Sequence, residues 1–243
     1  MRKLLLVILA SAIAAALAAC GTPADTTTGS GETTTAPNGA TTASQHKITP
    51  VSEAQVGDYV LFGSYEQDNN TANGKEDIEW LVLAKEGDRV LLISSYALFC
   101  QPYNASYASV TWETCSLRTW LNGTFLNAAF SESEIAVIPS VTVSAEEDPG
   151  HSTTDKVFLL SITEANKYFS SGNARQCQGT AYCYAQFADN AGSGNCGWWL
   201  RSPGGNAYAT AYVRSGGSVS SEGRNVKSDD ITVRPALWVN LGS

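Results

Sequence analysis

The sequence predicts an α+β domain built on a mostly antiparallel, twisted sheet with short helices and long loops. Three observations point there. Short apolar runs are bounded by turn residues, as in "VGDYVLFGSY" and "IEWLVLAKEGDRVLLISSYAL". Two helix-start signatures, Ser131 with Glu134 and Ser161 with Glu164, sit between the early and late strand-like runs. A C-terminal stretch, "NAYATAYVRSGGSVSSEGRN" (206–225), alternates Ala207, Ala209, Ala211 and Val213 with larger polar or aromatic residues. Period two places one small apolar face against the body of a sheet and turns the other face away. Strands, then helices, then strands again is the order of an α+β domain rather than of alternating β-α units.

The chain begins differently. Arg2 and Lys3 precede the apolar run "LLLVILASAIAAALA", which ends at Leu17-Ala18-Ala19-Cys20. A charged start, a short apolar stretch and small residues before a cut describe a signal peptide over 1–19, too short to span a bilayer. The last four residues resemble the bacterial lipobox. That resemblance implies lipidation at Cys20 and a membrane contact made through the lipid anchor alone. Residues 20–46, rich in Thr, Ser, Gly and Pro, have little to bury and read as a disordered tether. The domain is then 47–243, and the expected location is the cell surface.

Charge narrows the partners. The formal charge of −8 becomes −10 once Arg2 and Lys3 are removed. An acidic domain is a poor match for nucleic acid or for anionic lipid.

Within the domain, Glu86-Gly87-Asp88 between two apolar runs predicts a hairpin. The polar loop 67–77 ("QDNNTANGKED") has Ala72 where a calcium loop needs an oxygen ligand, so no metal is expected there. "SLRTWLNGTFLNAAF" (116–130) predicts a helix interrupted at Gly123. The two Ser-x-x-Glu capping boxes predict short helices, the first stopped by Pro139 and the second by "SSGN". The six tryptophans read as core.

Beyond Cys20 there are five cysteines, at 100, 115, 177, 183 and 196. In an exported protein they can oxidise, and an odd number leaves one thiol over. Spacing favours Cys100 with Cys115 and one pair among Cys177, Cys183 and Cys196; the alternative is that all stay reduced. No C-x-x-C favours zinc, and neither histidine, His46 or His151, belongs to a metal or catalytic motif.

"GWWLRSPGG" (197–205), the alternating stretch and "VRPALWVNL" (233–241), with "VTWETCSLRTWLN" and "KVFLLSITEA" upstream, resemble bacterial surface domains of C-type-lectin-like fold. Many of these resemble the variable proteins of diversity-generating retroelements, in which adenine-directed mutagenesis rewrites codons near the 3′ end of a gene. The resemblance implies a ligand-binding face of Asn206, Tyr208, Thr210, Tyr212, Arg214, Ser215, Ser218, Ser220, Ser221, Arg224 and Asn225. Tyr, Ser, Asn and Arg are also the residues of antibody-like paratopes. Arg201 and Arg234 are expected to be structural, pairing with acids. The ligand would be a surface protein or a glycan, with no cofactor. Calcium-dependent sugar binding does not carry over, because Gln101-Pro102-Tyr103 lacks the acid or amide after Pro and no Trp-Asn-Asp occurs. Two alternatives stand beside a binding module without catalysis. One is a cysteine-dependent enzyme resembling formylglycine-generating enzymes, using Cys177, Cys183 or Cys196 with His151. The other is a structural cell-wall lipoprotein.

Overall fold

The computed structural model describes residues 46–145, 150–186 and 194–242. The signal peptide, Cys20 and nearly all of the tether lie outside the described residues. His46 does not: its ring stacks on Tyr59 at 3.6 Å and its Nδ1 bonds Glu79 at 2.8 Å. The packed domain therefore already includes the residue that composition assigned to the tether's end.

Strands β1 (Tyr59–Tyr65), β2 (Glu76–Glu86), β3 (Arg89–Ser94) and β4 (Phe99–Cys100) come first. Helices α1 (Ser116–Trp120), α2 (Leu126–Ala129) and α3 (Glu132–Val137) follow. Next are β5 (Val141–Val143), β6 (Thr153–Asp155), β7 (Val157–Phe158), α4 (Ile162–Tyr168), α5 (Gly172–Arg175) and α6 (Ala181–Ala185). The chain closes with β8 (Trp198–Pro203), β9 (Ala209–Val213), β10 (Val219–Asn225), β11 (Thr232–Val233) and β12 (Ala236–Asn240). One sheet has the order β1-β2-β3-β12-β7 and a second has β10-β9-β8-β11-β4, while β5 pairs with β6. Every pairing of these strands is antiparallel except that of β11 with β8. The domain is α+β and mostly antiparallel.

The local signals explain the elements. The β2–β3 hairpin pairs Glu86 with Arg89 and turns at Gly87, whose φ of 56° only a residue without Cβ adopts readily. The helix over 116–129 is broken by a π-turn at Leu121–Phe125, around Gly123. Both capping boxes form: Ser131 with Glu134 on α3, and Ser161 with Glu164 on α4. Each serine oxygen takes an N–H that the first helical turn leaves unpaired.

Trp80, Trp198 and Trp199 are fully buried, Trp112 and Trp238 nearly so, and Trp120 half-buried. Buried indoles find carbonyls: Trp80 donates to Phe62 at 2.7 Å, Trp198 to Arg175 at 3.1 Å and Trp199 to Gln101 at 3.0 Å. Trp112 and Arg118 converge on the buried Asp155 carboxylate, at 3.0 and 2.7 Å. That joins the motif around residue 115 to β6.

Glu134 also reaches across to β1, accepting from the Gly63 N–H at 3.0 Å. Partial burial works against its ionisation, but the Ser131 and Gly63 donors outweigh this and hold its carboxyl below the usual glutamate range. A depressed carboxyl stabilises the fold at neutral pH, and this is lost as pH falls through the lowered value. Glu134→Gln should cost about 1 kcal/mol at pH 7. In urea unfolding, the gap to the wild type should close below the ordinary glutamate range. A gap of equal size at pH 7 and pH 3 would reject this account.

Candidate functional site

The region 206–225 folds as the end of a three-strand unit, β8-β9-β10, with β9 in the middle. Ala211 and Val213 are fully buried, as the alternation predicts. The opposite face is not free. Thr210 is 2% exposed, and its hydroxyl donates to the carbonyls of Ser202 at 2.8 Å and Leu200 at 3.3 Å. Ser220 is 4% exposed, and its oxygen accepts from Arg214 at 3.1 Å. These two residues are corrected from ligand-facing to interior: Thr210, on the central strand, turns its hydroxyl onto carbonyls of β8, and Ser220, on the outer strand, is engaged by the Arg214 side chain. Tyr212 and Ser215 are half-buried, and Tyr212 sets its edge toward Trp199 at 6.4 Å.

The strand is also shorter than the alternation. Asn206, Ala207 and Tyr208 lie in the β8–β9 turn and are exposed, so Ala207 is not a scaffold residue. Arg214 and Ser218 are exposed in the β9–β10 turn, as are Ser221, Arg224 and Asn225 on β10. The exposed set therefore sits on two turns and one outer strand. Arg224 is engaged in an ion pair with Asp230.

Two glycines make this arrangement possible. Gly217 has φ 84°, and a Cβ there would lie 1.8 Å from the Gly172 carbonyl oxygen, so the β9–β10 turn rests directly on α5. Gly223 has φ 78° at the irregularity of β10 between Ser220 and Arg224, and a Cβ there would lie 2.4 Å from the Thr210 carbonyl oxygen.

One residue of this surface has no signal in the alternating stretch. Tyr107, 61% exposed, stacks on Tyr208, 42% exposed, with centroids 4.8 Å apart and planes at 16°. Backbone bonds fix the neighbourhood: Val110 N–H donates to Ala207 at 3.3 Å, Val226 N–H to Tyr208 at 2.9 Å, and Asn104 N–H to Val226 at 2.8 Å. Beside the pair is a cavity of about 330 Å³ between Tyr103, Ser109, Val110 and Thr111 on one side and Pro203, Asn206 and Ala209 on the other. Its described lining is hydroxyl, amide and apolar, without a charged side chain. A larger groove of about 740 Å³ runs over Gln101, Asn104, Ser116 and Trp120.

The motif arginines differ. Arg201 is a bidentate partner of Glu164 and also donates to the Leu159 carbonyl at 2.8 Å. Arg234 is not paired with an acid among the described residues: it donates to the Ser94 carbonyl at 2.7 Å and lies over the rings of Phe169 and Trp198 at 5.2 and 5.3 Å. The expected acid partner thus holds for Arg201, and among the described residues Arg234 has a carbonyl and two rings in its place.

All five cysteines of the domain are free and buried. Cys100 does not pair with Cys115. The Cys100 thiol donates to the Asp229 carbonyl at 3.0 Å, whereas the Cys115 sulfur caps α1 by accepting from Arg118 N–H at 3.5 Å. Burial pushes both thiols up to about 12. His151 bonds Glu113 at 3.1 Å, not a cysteine. In the polar loop, Glu66, Asp68 and Glu76 bring carboxylate oxygens within 4.8 Å of one another. Those groups accept from the N–H groups of Gln67, Asp68 and Asn70 and from the Asn73 amide.

A family model described as a domain of unknown function (DUF6273) matches residues 87–241, more than half of the chain. No curated protein and no solved structure matches it.

The arginine environments predict separate outcomes. Arg201→Met strips a mostly buried carboxylate of its cation and should cost about 3 kcal/mol. Arg224→Met breaks a more exposed pair and should cost less than about 1 kcal/mol. Chemical denaturation of both variants checks this; equal losses would remove the division between scaffold and surface arginines.

Proposed function

The chain belongs to the DUF6273 family, and we propose that it is a surface-displayed ligand-binding lipoprotein of C-type-lectin-like fold, diversified at its C-terminal face. The observation that carries the reading is the sorting of side chains in 206–225. Asn206, Tyr208, Arg214, Ser218, Ser221, Arg224 and Asn225 are exposed on the turns and outer strand of the unit whose Trp199, Ala211 and Val213 are fully buried. Tyr212 and Ser215 form its border. A rigid core under exposed Tyr, Asn, Ser and Arg is how a binding face keeps its shape while its chemistry changes.

Adenine mutagenesis of Asn codons yields Asn, Tyr, Ser, Thr, Arg and Gly among others, and those types fill the exposed positions. The ligand class is a surface protein or a glycan, taken up without a cofactor, and the domain is a binder rather than an enzyme. Acylation at Cys20 and the tether up to residue 46 would hold it at the membrane face. Among the described residues no helix is long and apolar enough to cross a membrane.

Three outcomes test this. Cys20→Ser should release the domain from the membrane fraction or stop its processing; normal cleavage with full retention would reject the anchor. Tyr208→Ser with Arg214→Thr should cost no more than about 1.5 kcal/mol while changing capture on a panel of purified surface proteins and glycans. Trp199→Ala should instead cost roughly 3–5 kcal/mol. Gene copies from sister isolates should differ mainly at the exposed positions; differences spread evenly over 47–243 would reject diversification.

A further inference from the structure

Cys177 and Cys196 face each other across a short antiparallel pairing. Gln178 and Asn195 form an antiparallel bridge, so Cys177 and Cys196 are the next pair outward. The Cys196 N–H donates to the Cys177 carbonyl at 2.8 Å, and the Cys196 thiol reaches the same oxygen at 3.3 Å. Directly opposed residues of an antiparallel pair carry their side chains on one face, with Cα atoms about 4.5–5.5 Å apart. That separation lies within the range of roughly 4.4–6.8 Å that a disulfide spans. The two side chains also shift each other's ionisation.

We propose that Cys177 and Cys196 are a redox-active pair that closes to a disulfide against a thiol–disulfide couple. In the first step the Cys177 thiolate attacks one sulfur of the oxidant's disulfide. The S–S bond of the oxidant breaks, and its other sulfur leaves and takes up a proton. Cys196 then gives up its proton and attacks Cys177 Sγ, and the second oxidant sulfur leaves as a thiol. Two protein thiols are oxidised to one disulfide while one oxidant disulfide is reduced to two thiols.

The surroundings assign the roles. Burial disfavours the Cys177 thiolate, but the Cys196 hydrogen bond and the Arg234 guanidinium outweigh it and hold this thiol low. Cys196 is pushed up, first by its bond to Cys177 and then by burial. Arg234 is buried, makes no ion pair among the described residues and keeps Nη1 without a hydrogen-bond partner. A cation so placed favours an anion close by. Two of the remaining thiols are engaged elsewhere, Cys100 on the Asp229 carbonyl and Cys115 at the α1 cap, while burial raises Cys183 on α6 and disfavours its thiolate.

The bridge would join two supports of the face. Cys177 follows α5, whose Arg175 Nε donates to the Gly217 carbonyl at 2.9 Å in the β9–β10 turn. Cys196 stands two residues before β8. The inference does not depend on what the face binds or on where the protein resides.

The test uses the full chain, purified reduced and equilibrated with mixtures of reduced and oxidised glutathione. A second sample is unfolded and refolded in the same mixtures. Free thiols are alkylated and the protein is digested and mapped without reduction. The expected result is one linked peptide joining Cys177 to Cys196, titrating with the glutathione ratio. Oxidation should also raise the melting temperature by roughly 5–10 °C. Cys183→Ala should leave the linked peptide in place, and Cys177→Ser should remove it. Retention of every thiol in both samples, or a bridge from either residue to Cys183, would overturn the proposal, and the wild-type map decides this even if a variant fails to fold.

Discussion

The segment from Thr232 to Asn240 serves both sheets, and most of the architecture depends on that crossing. As β11 it pairs parallel with β8 and antiparallel with β4; as β12 it lies between β3 and β7. Only Arg234 and Pro235 separate the two strands. Ser94 N–H donates to the Pro235 carbonyl at 3.0 Å, and Arg234 returns a bond to the Ser94 carbonyl, so the end of β3 is clamped at the crossing. Thr232 Oγ1 donates to the Gly197 carbonyl at 2.8 Å, which locks the start of β8. A one-residue slip would turn Ala236 and Trp238 to the wrong side of the first sheet and misplace β8 in the second. The position of the exposed turns thus follows from a buried segment distant from them in sequence.

What could be read from the sequence divides along the range of the interactions. The capping boxes at Ser131 and Ser161 and the hairpin at Gly87 involve residues a few positions apart, and each forms as its residues predict. The burial of Ala211 and Val213 was legible because period two separates the faces of one strand. The burial of Thr210 and Ser220 was not. Alternation says that two faces differ, but not that a neighbouring strand or loop covers the polar one. Tyr107 was invisible for the same reason: its partner Tyr208 arrives from a distant part of the chain. The cysteines make the point again. Spacing favoured Cys100 with Cys115, whereas the fold gives each sulfur its own backbone partner and sets Cys177 opposite Cys196.

The two motif arginines look alike in sequence and act by different physics. Arg201 joins β8 to α4 through Glu164, a charge already fixed by the Ser161 capping box, so one carboxylate serves both the helix start and the ion pair. Arg234 relies on two aromatic faces and a carbonyl, which solvate a cation less completely than a carboxylate does. That shortfall is what makes a nearby thiolate electrostatically favourable, and it ties the crossing between sheets to the chemistry of Cys177.

The same geometry limits how freely a face of this kind can vary. Positions 206, 218, 221 and 225 are exposed and carry few tertiary bonds, so exchange there trades one solvated group for another, whereas Arg214 donates to the buried Ser220 and lies over the Tyr212 ring. Position 208 is different, because Tyr107 is its constant partner. An aromatic at 208 gains about 0.5–1.5 kcal/mol from the stack, while a small residue uncovers the face of Tyr107. Position 224 is bound in another way, through Asp230. Substitution there by a neutral residue removes one positive charge and also takes from Asp230 its ion-pair partner. The face is therefore a set of free positions around three, 208, 214 and 224, that are coupled to neighbours, and those three decide how far its aromatic area and its charge can move together.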